Sequence, residues 1–392
     1  MGETMSHSAK KEYLAIKKKK YEGASREEKS RILDEVQEVL GMHRKSIIRA
    51  FARRRQTPRP RAGRPPIYGP EIVKPLKNIW RFARQPCSKR LVEVIRIWMP
   101  YYDDYFEPLD MQIQEKLLAM SAATIDRLLS PVRPKTPRSR SGQSLNALKG
   151  QIPIRRTFDQ VPGPGYMEVD TVAHCGGSMR GVFLWSISYV DIWSGWTENR
   201  ALWNRNQRQV VKQTKAVELA LPFYLQGFDT DNGPEFINNG LFNFLRKRTD
   251  PIEFTRARAY RKNDNAHVEQ RQFTHVRQLL GYDRIDYKAL LADINDLYEN
   301  TWRLYQNLFL PSMQLEAKWR DGSKIHRRHS SPQTPCERLL QCDEIDEDVK
   351  AHLRELRDTL NPFELYDEIE RKLHNIFRRL RRWEKKKETK IQ

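Results

Sequence analysis

Residues 166–203, YMEVDTVAHCGGSMRGVFLWSISYVDIWSGWTENRALW, decide the fold. Three runs within them, YMEVDTVAH, GVFLWSISYVDIW and SGWTENRALW, are rich in β-branched and aromatic residues and are parted by glycine-bearing turns, which predicts an antiparallel meander. Trp185, Trp193, Trp196 and Trp203, with Phe183 and Tyr189, sit at spacings expected of sheet core. Alternation sends Tyr166, Glu168, Asp170 and Val172 to one side of the first run. A carboxylate in so apolar a strand is costly unless something binds it, which makes Asp170 a candidate site residue and Glu168 its competitor.

Working outward, residues 206–221 revert to helical spacing, FYLQGFDTD (223–231) reads as a strand, PEFINNGLFNFLRKR (234–248) as a helix and IEFTRARAY (252–260) as a last strand. A helix follows from about Asp264 to Leu280. Asp231 ends its strand in Asp-Asn-Gly-Pro, where Asn232 and Gly233 permit a turn and Pro234 fits the first position of a helix. Asp229, two residues earlier, shares its face.

Three segments in this order, MEVDTV, DTDNGPEF and NDNAHVEQRQ, resemble the acidic motifs of DDE transposases and integrases of bacterial insertion sequences, whose retroviral-integrase-like core belongs to the ribonuclease H-like superfamily. The resemblance covers roughly residues 157–310. It implies an α/β core with a mixed five-stranded sheet flanked by helices, and it assigns Asp170, Asp231 and Glu269 as both catalytic residues and metal ligands. Asp231 is preferred over Asp229 because the family's acid directly precedes Asn-Gly. Glu269 follows Asp231 by 269 − 231 = 38 positions, slightly more than the family's usual spacing. Glu253, in a strand, fits that role worse. The implied cofactor is a pair of Mg²⁺ ions, with Mn²⁺ able to substitute. In-line phosphoryl transfer needs an activated nucleophile and a neutralised leaving oxygen, and two hard cations on carboxylate oxygens supply both.

The composition agrees with a nucleic-acid enzyme. The 392 residues carry a formal net charge of +21, a field that phosphate backbones reward and that chemistry on small metabolites does not need. Cys87, Cys175, Cys336 and Cys342 form no C-x-x-C pair, which argues against structural zinc. There is no run of apolar residues long enough for a signal peptide or a membrane span and no G-x-x-x-x-G-K loop. The expectation is a cytoplasmic, nucleoid-associated protein with no membrane partner and no nucleotide cofactor.

The flanks divide into modules. Residues 1–56 are read as a helix-turn-helix domain: Ile32, Val36 and Val39 recur before Gly41, then Ile47, Ile48 and Phe51, with Ser25 and Glu28 as a capping box. Arg44, Lys45 and Arg49 on its second helix are candidate DNA contacts. Residues 57–70 are a Pro/Arg linker whose Arg61 and Arg64 suit a minor groove. Residues 71–132 read as a second helix-turn-helix-like domain and 133–156 as a basic linker. After the 157–310 core come a β-hairpin element, 311–332, turning at Asp321-Gly322, and a basic helical tail, 333–392. Leu373, Phe377, Leu380 and Trp383 form an apolar stripe in the tail that could seat a second protomer. Around the triad, Arg258, Arg261, Lys262, Asn265 and Gln272 complete the candidate DNA contacts, whereas His174 and His267 read as structural.

The function expected is that of a transposase or integrase that binds the terminal repeats of a mobile element as double-stranded DNA, acts as a homo-oligomer, and cuts and joins 3′ ends. The alternatives are a ribonuclease H-like nuclease and a non-catalytic DNA-binding regulator derived from a transposase.

Overall fold

The computed structural model describes residues 7–52, 67–133, 161–231, 233–256, 268 and 271–389, and it divides into two compact units, Met1–Ile67 and Tyr68–Gln392.

In the first unit, helices His7–Glu22, Arg26–Leu40 and Arg44–Ala52 enclose a small core of Leu33, Val36, Ile47 and Phe51. The Ser25–Glu28 capping box is formed, and Gly41 closes the second helix at φ 64°, a left-handed conformation that favours glycine. Two expected core positions differ: Val39 and Ile48 are 48% and 40% exposed. The leading helix is not evident from the sequence, because lysines hide the few apolar residues, Tyr13, Leu14 and Tyr21, that it turns inward.

The second unit is built on one mixed sheet with strand order β3-β2-β1-β4-β5. β1 (Tyr166–Ala173), β2 (Leu184–Asp191) and β3 (Thr197–Trp203) form the expected antiparallel meander. β4 (Gly227–Thr230) and β5 (Glu253–Arg256) run parallel to β1. Met167, Val169, Ile187, Tyr189, Phe228 and Phe254 line one face and pack with residues of helices Gln207–Ala220 and Asn239–Arg246. The second of these helices begins later than the sequence suggests. Pro234 lies in a turn, and the Asn238 side chain accepts the Leu241 N–H to start the helix.

β3 is an edge strand, and side-chain amides close it. Asn307 accepts the Thr197 N–H and donates to the Thr197 carbonyl, each at 2.9 Å. Asn295 does the same for Ala201, at 2.7 and 3.2 Å. Both come from one helical rod, Leu291–Asp296, Leu297–Trp302 and Arg303–Phe309, so the amides stand in for a sixth strand and tie that rod to the sheet.

The rod's outer side enters a large core shared with helices on either side of it in the chain. Trp98 donates its indole N–H to the Phe309 carbonyl at 3.0 Å, and Phe363 is ringed by Trp98, Phe106 and Phe82 at 4.9–5.4 Å. The helices of residues 70–129 thus share a core with the tail helices. The tail itself is broken into Pro335–Leu340, Glu347–Asp358 and Pro362–Glu388, with Asn361 capping the longest helix and Pro362 at its first turn. The Leu373, Phe377, Leu380 and Trp383 stripe is covered by its own chain. Leu373 and Leu380 are buried, and Trp383 stacks on Tyr287 at 4.7 Å.

β6 (Leu315–Asp321) and β7 (Lys324–His329) form the hairpin, with Gly322 at φ 56° in its turn. Among the described residues, no helix is long and apolar enough to cross a membrane.

His174 is fully buried at the end of β1; its Nε2 meets Ser186 Oγ at 2.8 Å, which in turn meets the Tyr298 hydroxyl at 2.8 Å. Burial, then the Arg277 charge, push its pKa down to about 3. The unfolded chain takes up this proton near its ordinary value and the folded chain does not. Stability from a neutral His174 is therefore full above about pH 6.5 and drains as pH falls toward the folded value.

This packing has two measurable consequences. Asn307→Ala leaves the Thr197 N–H without its acceptor and lowers unfolding free energy by about 1–3 kcal/mol, read from denaturant midpoints. In His174→Gln, the stability deficit against the parent shrinks by about 2 kcal/mol between pH 7.5 and pH 5. A deficit that holds constant over that range means His174 is not buried in its neutral form.

Candidate functional site

Strand alternation and register assemble a polar patch on the face of β1 and β4 opposite Val169 and Phe228. Glu168 pairs in register with Asp229, and Val169 with Thr230, so Asp170 and Asp231 fall in the next row. The chain leaves β1 toward β2 and returns through β4 on its other side. The patch therefore sits where the strand order reverses, at the carboxyl end of β4, which is where open α/β sheets place ligands.

The two rows differ in burial and in partners. Glu168 and Asp229 are 2% and 3% exposed. Glu168 accepts the Val268 N–H at 3.1 Å, which anchors the helix arriving over this face, and Asp229 accepts the Thr255 hydroxyl at 2.5 Å. Asp170 and Asp231 are only partly buried. Burial first, and then the Asp231 carboxylate, hold the Asp170 carboxyl well above the usual aspartate range; Glu235 adds to this, while the Thr171 N–H, 2.6 Å away, and the Gln272 amide oppose it. Two carboxylates set so close repel unless a proton or a cation sits between them.

Glu235 escaped the sequence reading. It is 2% exposed, and its Oε1 accepts from Thr171 Oγ1 at 2.9 Å and Arg205 Nη1 at 3.2 Å. Arg205 in turn lies over the Trp185 ring at 4.8 Å. Glu235 Oε2 is buried with no hydrogen-bond partner among the described residues. The available signal was its place in DNGPEF, two positions beyond Gly233. That glycine matters for space rather than for a turn: a Cβ there would meet Glu235 Oε2 at 2.6 Å and Asp231 Oδ1 at 2.8 Å, and its N–H donates to Asp231 Oδ1 at 2.8 Å.

The donor set suits a hard divalent cation: oxygen ligands only, mutually repelling, with one carboxylate oxygen unpartnered. Among the described residues, however, no three His, Cys, Asp or Glu side chains are grouped to hold a metal ion. Any site built on Asp170 and Asp231 takes its remaining ligand from elsewhere. Glu269, Arg61, Arg64, Arg258, Arg261, Lys262 and Asn265 lie outside the described residues. Gln272 is brought to Asp170, although its Nε2 makes no well-formed hydrogen bond among them. Of the first-unit candidates, Lys45 and Arg49 are exposed, and Arg44 is engaged with Asp34 and Ser30. Glu253 is exposed at the start of β5, away from the buried row.

Gly233→Ala tests this geometry without touching a carboxylate. Its methyl displaces flexible side-chain ends rather than backbone, so the expected loss of stability is small, below about 1 kcal/mol. The expected loss of Mg²⁺-induced thermal stabilisation is large. A variant stabilised by Mg²⁺ as well as the parent would mean that Asp231 and Glu235 do not shape a cation site.

No protein-family model matches the chain. Among solved structures, it is similar to a chain of the simian T-cell lymphotropic virus intasome in complex with PP2A regulatory subunit B56 gamma, with 16% identity and a TM-score of 0.29, over 49% of this chain and 63% of that one. The match thus spans less than two thirds of that chain. It is also similar to the HTLV-2 integrase catalytic core domain in complex with magnesium, with 17% identity and a TM-score of 0.28, over 40% of this chain and 93% of that one. Among curated proteins, "Uncharacterized protein y4rM" of Sinorhizobium fredii (strain NBRC 101917 / NGR234) is 37% identical over 350 residues, which cover 86% of this chain and 97% of that protein. The chain belongs to the same family as that uncharacterized protein.

Proposed function

We propose that the protein is a metal-dependent polynucleotidyl transferase of the DDE transposase/integrase type, with a ribonuclease H-like core, that cuts and joins DNA 3′ ends. The observation that carries this reading is the Asp170–Asp231 pair. Two partly exposed carboxylates, Asp170 in β1 and Asp231 one residue past the end of β4, follow the Val169–Thr230 pair at the strand-order reversal, with Asp170 raised by burial and by the charge of Asp231. The order of the three acidic motifs and the net charge of +21 support it.

In this reading Asp170, Asp231 and Glu269 hold the cations. Bound there, Mg²⁺ or Mn²⁺ would polarise the scissile phosphate and stabilise the attacking and leaving oxygens. The chain's own residues prepare the place. Glu168 fixes the incoming helix through Val268, Asp229 braces β4 against β5 through Thr255, and Glu235 with Arg205 and Thr171 stiffens the turn after Asp231. The Gln272 amide is positioned to orient whatever neutralises Asp170. Lys45 and Arg49, Arg61 and Arg64, and the Arg258–Lys262 segment serve as DNA contacts. The substrate is double-stranded DNA, element ends and target, and joining two ends calls for more than one copy of the chain.

Strand transfer with labelled DNA ends in Mg²⁺ or Mn²⁺ tests the reading. Asp170→Asn and Asp231→Asn are each expected to lower joining by at least about a hundredfold while leaving DNA binding in metal-free buffer within about threefold of the parent. Equal joining by parent and variants would remove these acids from the mechanism.

A further inference from the structure

Next to Gln272 in the chain begins a second concentration of charge, of the opposite sign. Arg90, Arg271 and Arg338 come from three helical segments far apart in sequence and converge on Pro311–Ser312, where Ser312 bridges Gln333. Arg271 Nη2 donates to Ser312 Oγ at 3.1 Å and to the Gly195 carbonyl at 3.3 Å. Arg338 Nη1 donates to the same hydroxyl at 3.1 Å and to the Ser194 carbonyl at 2.8 Å. Arg90 Nε donates to the Pro311 carbonyl at 2.6 Å.

Every one of these acceptors is neutral. Among the described residues, no carboxylate forms an ion pair with any of the three. Glu337, adjacent to Arg338, spends its carboxylate on the Thr334 N–H at 2.8 Å in a capping box. Three other guanidiniums in this unit have carboxylate partners: Arg200 has Glu198 and Glu299, Arg303 has Glu198, and Arg284 has Asp286. A low-dielectric setting makes an uncompensated cluster expensive. Burial pushes Arg338 down to about 10. His275, whose Nε2 lies 3.0 Å from Arg271 Nη1, is buried, and its Nδ1 has no partner among the described residues.

The cluster is built and within reach. Arg338 is buried, whereas Arg90 and Arg271 are partly exposed. A Cβ at Gly195 would meet Arg271 Nη2 at 2.9 Å and Arg338 Nη1 at 3.5 Å, so the absence of a side chain there keeps the guanidiniums clear. Guanidinium forks match the oxygens of a phosphate bidentately.

We propose that Arg90, Arg271 and Arg338 form a phosphate subsite that grips a backbone phosphate of the bound DNA strand. The choice of DNA as the source of the phosphate rests on the polynucleotidyl-transferase reading above. The oxyanion chemistry of the cluster does not.

Two measurements on the full chain separate these parts. The first is the thermal midpoint of the wild type in inorganic phosphate against chloride at matched ionic strength, with Arg90→Gln and Arg271→Gln alongside. The second is the salt dependence of duplex DNA binding in metal-free buffer for the same proteins. Phosphate is expected to raise the wild-type midpoint above that in chloride, and each variant is expected to lose part of that rise. The slope of log affinity against log salt is expected to become shallower by about 0.9 for each DNA phosphate that a variant no longer neutralises. No phosphate-specific rise in the wild type overturns the subsite, and this arm needs no variant to fold. A phosphate-specific rise with an unchanged DNA slope in both variants overturns the assignment to DNA. If both shifts appear in a protein that never joins ends, the subsite stands and the strand-transfer reading fails.

Discussion

Electrostatic repulsion between like charges that the fold forces together is the constraint on which this structure turns. Parallel pairing of β1 with β4 puts Asp170 and Asp231 in one row, and the Asp170 carboxyl is held above its ordinary range by burial first and by the Asp231 charge second. A chain selected only for stability would place apolar side chains there. Under the proposed function, carboxylates are kept in such a row to bind something positive. The row behind it is different in kind, because Glu168 and Asp229 are buried and have specific partners, so they act as braces.

The scaffold around that row is rigid for reasons that can be named. One sheet face is closed by aromatic and aliphatic side chains beneath two helices. The exposed edge of β3 is closed by the Asn295 and Asn307 amides, which also lock the long rod of residues 291–309 in register with the sheet. The rod then carries the helices of residues 70–129 and the tail on a shared core. Position errors at the carboxylates are limited because the strands that carry them are central and flanked on both sides. Chemistry at a phosphate tolerates little misplacement.

Much of this was legible in the sequence, for physical reasons. Period-two alternation in YMEVDTVA puts Glu168 and Asp170 on one face whatever surrounds them, and the glycine-bearing turns mark the meander. The Ser25–Glu28 box and the Asp321-Gly322 turn are local chemistry and could be read directly. What escaped was long-range. Nothing near Thr197 announces that Asn307, more than a hundred residues on, completes its hydrogen bonds. The stripe through Leu373 and Trp383 was visible as apolar, but Tyr287, the ring that covers Trp383, lies in another part of the chain. The helix after Asp231 starts later than its sequence suggests because Pro234 suits a first turn, whereas Asn238 provides the actual cap. Glu235 looks like one more surface acid beside a proline until the fold buries it. Arg90, Arg271 and Arg338 each resemble ordinary helix-surface charge, and only their convergence on Pro311–Ser312 makes them a feature.

A cation between two aspartates is the claim from which the proposed chemistry follows. Anomalous scattering from crystals of the full chain grown with Mn²⁺ locates that cation directly. The expected result is a peak within coordination distance, about 2.0–2.3 Å, of carboxylate oxygens of both Asp170 and Asp231, with a further ligand from Glu269. Ordered crystals in saturating Mn²⁺ with no peak there, or with Mn²⁺ bound only elsewhere on the surface, would contradict it.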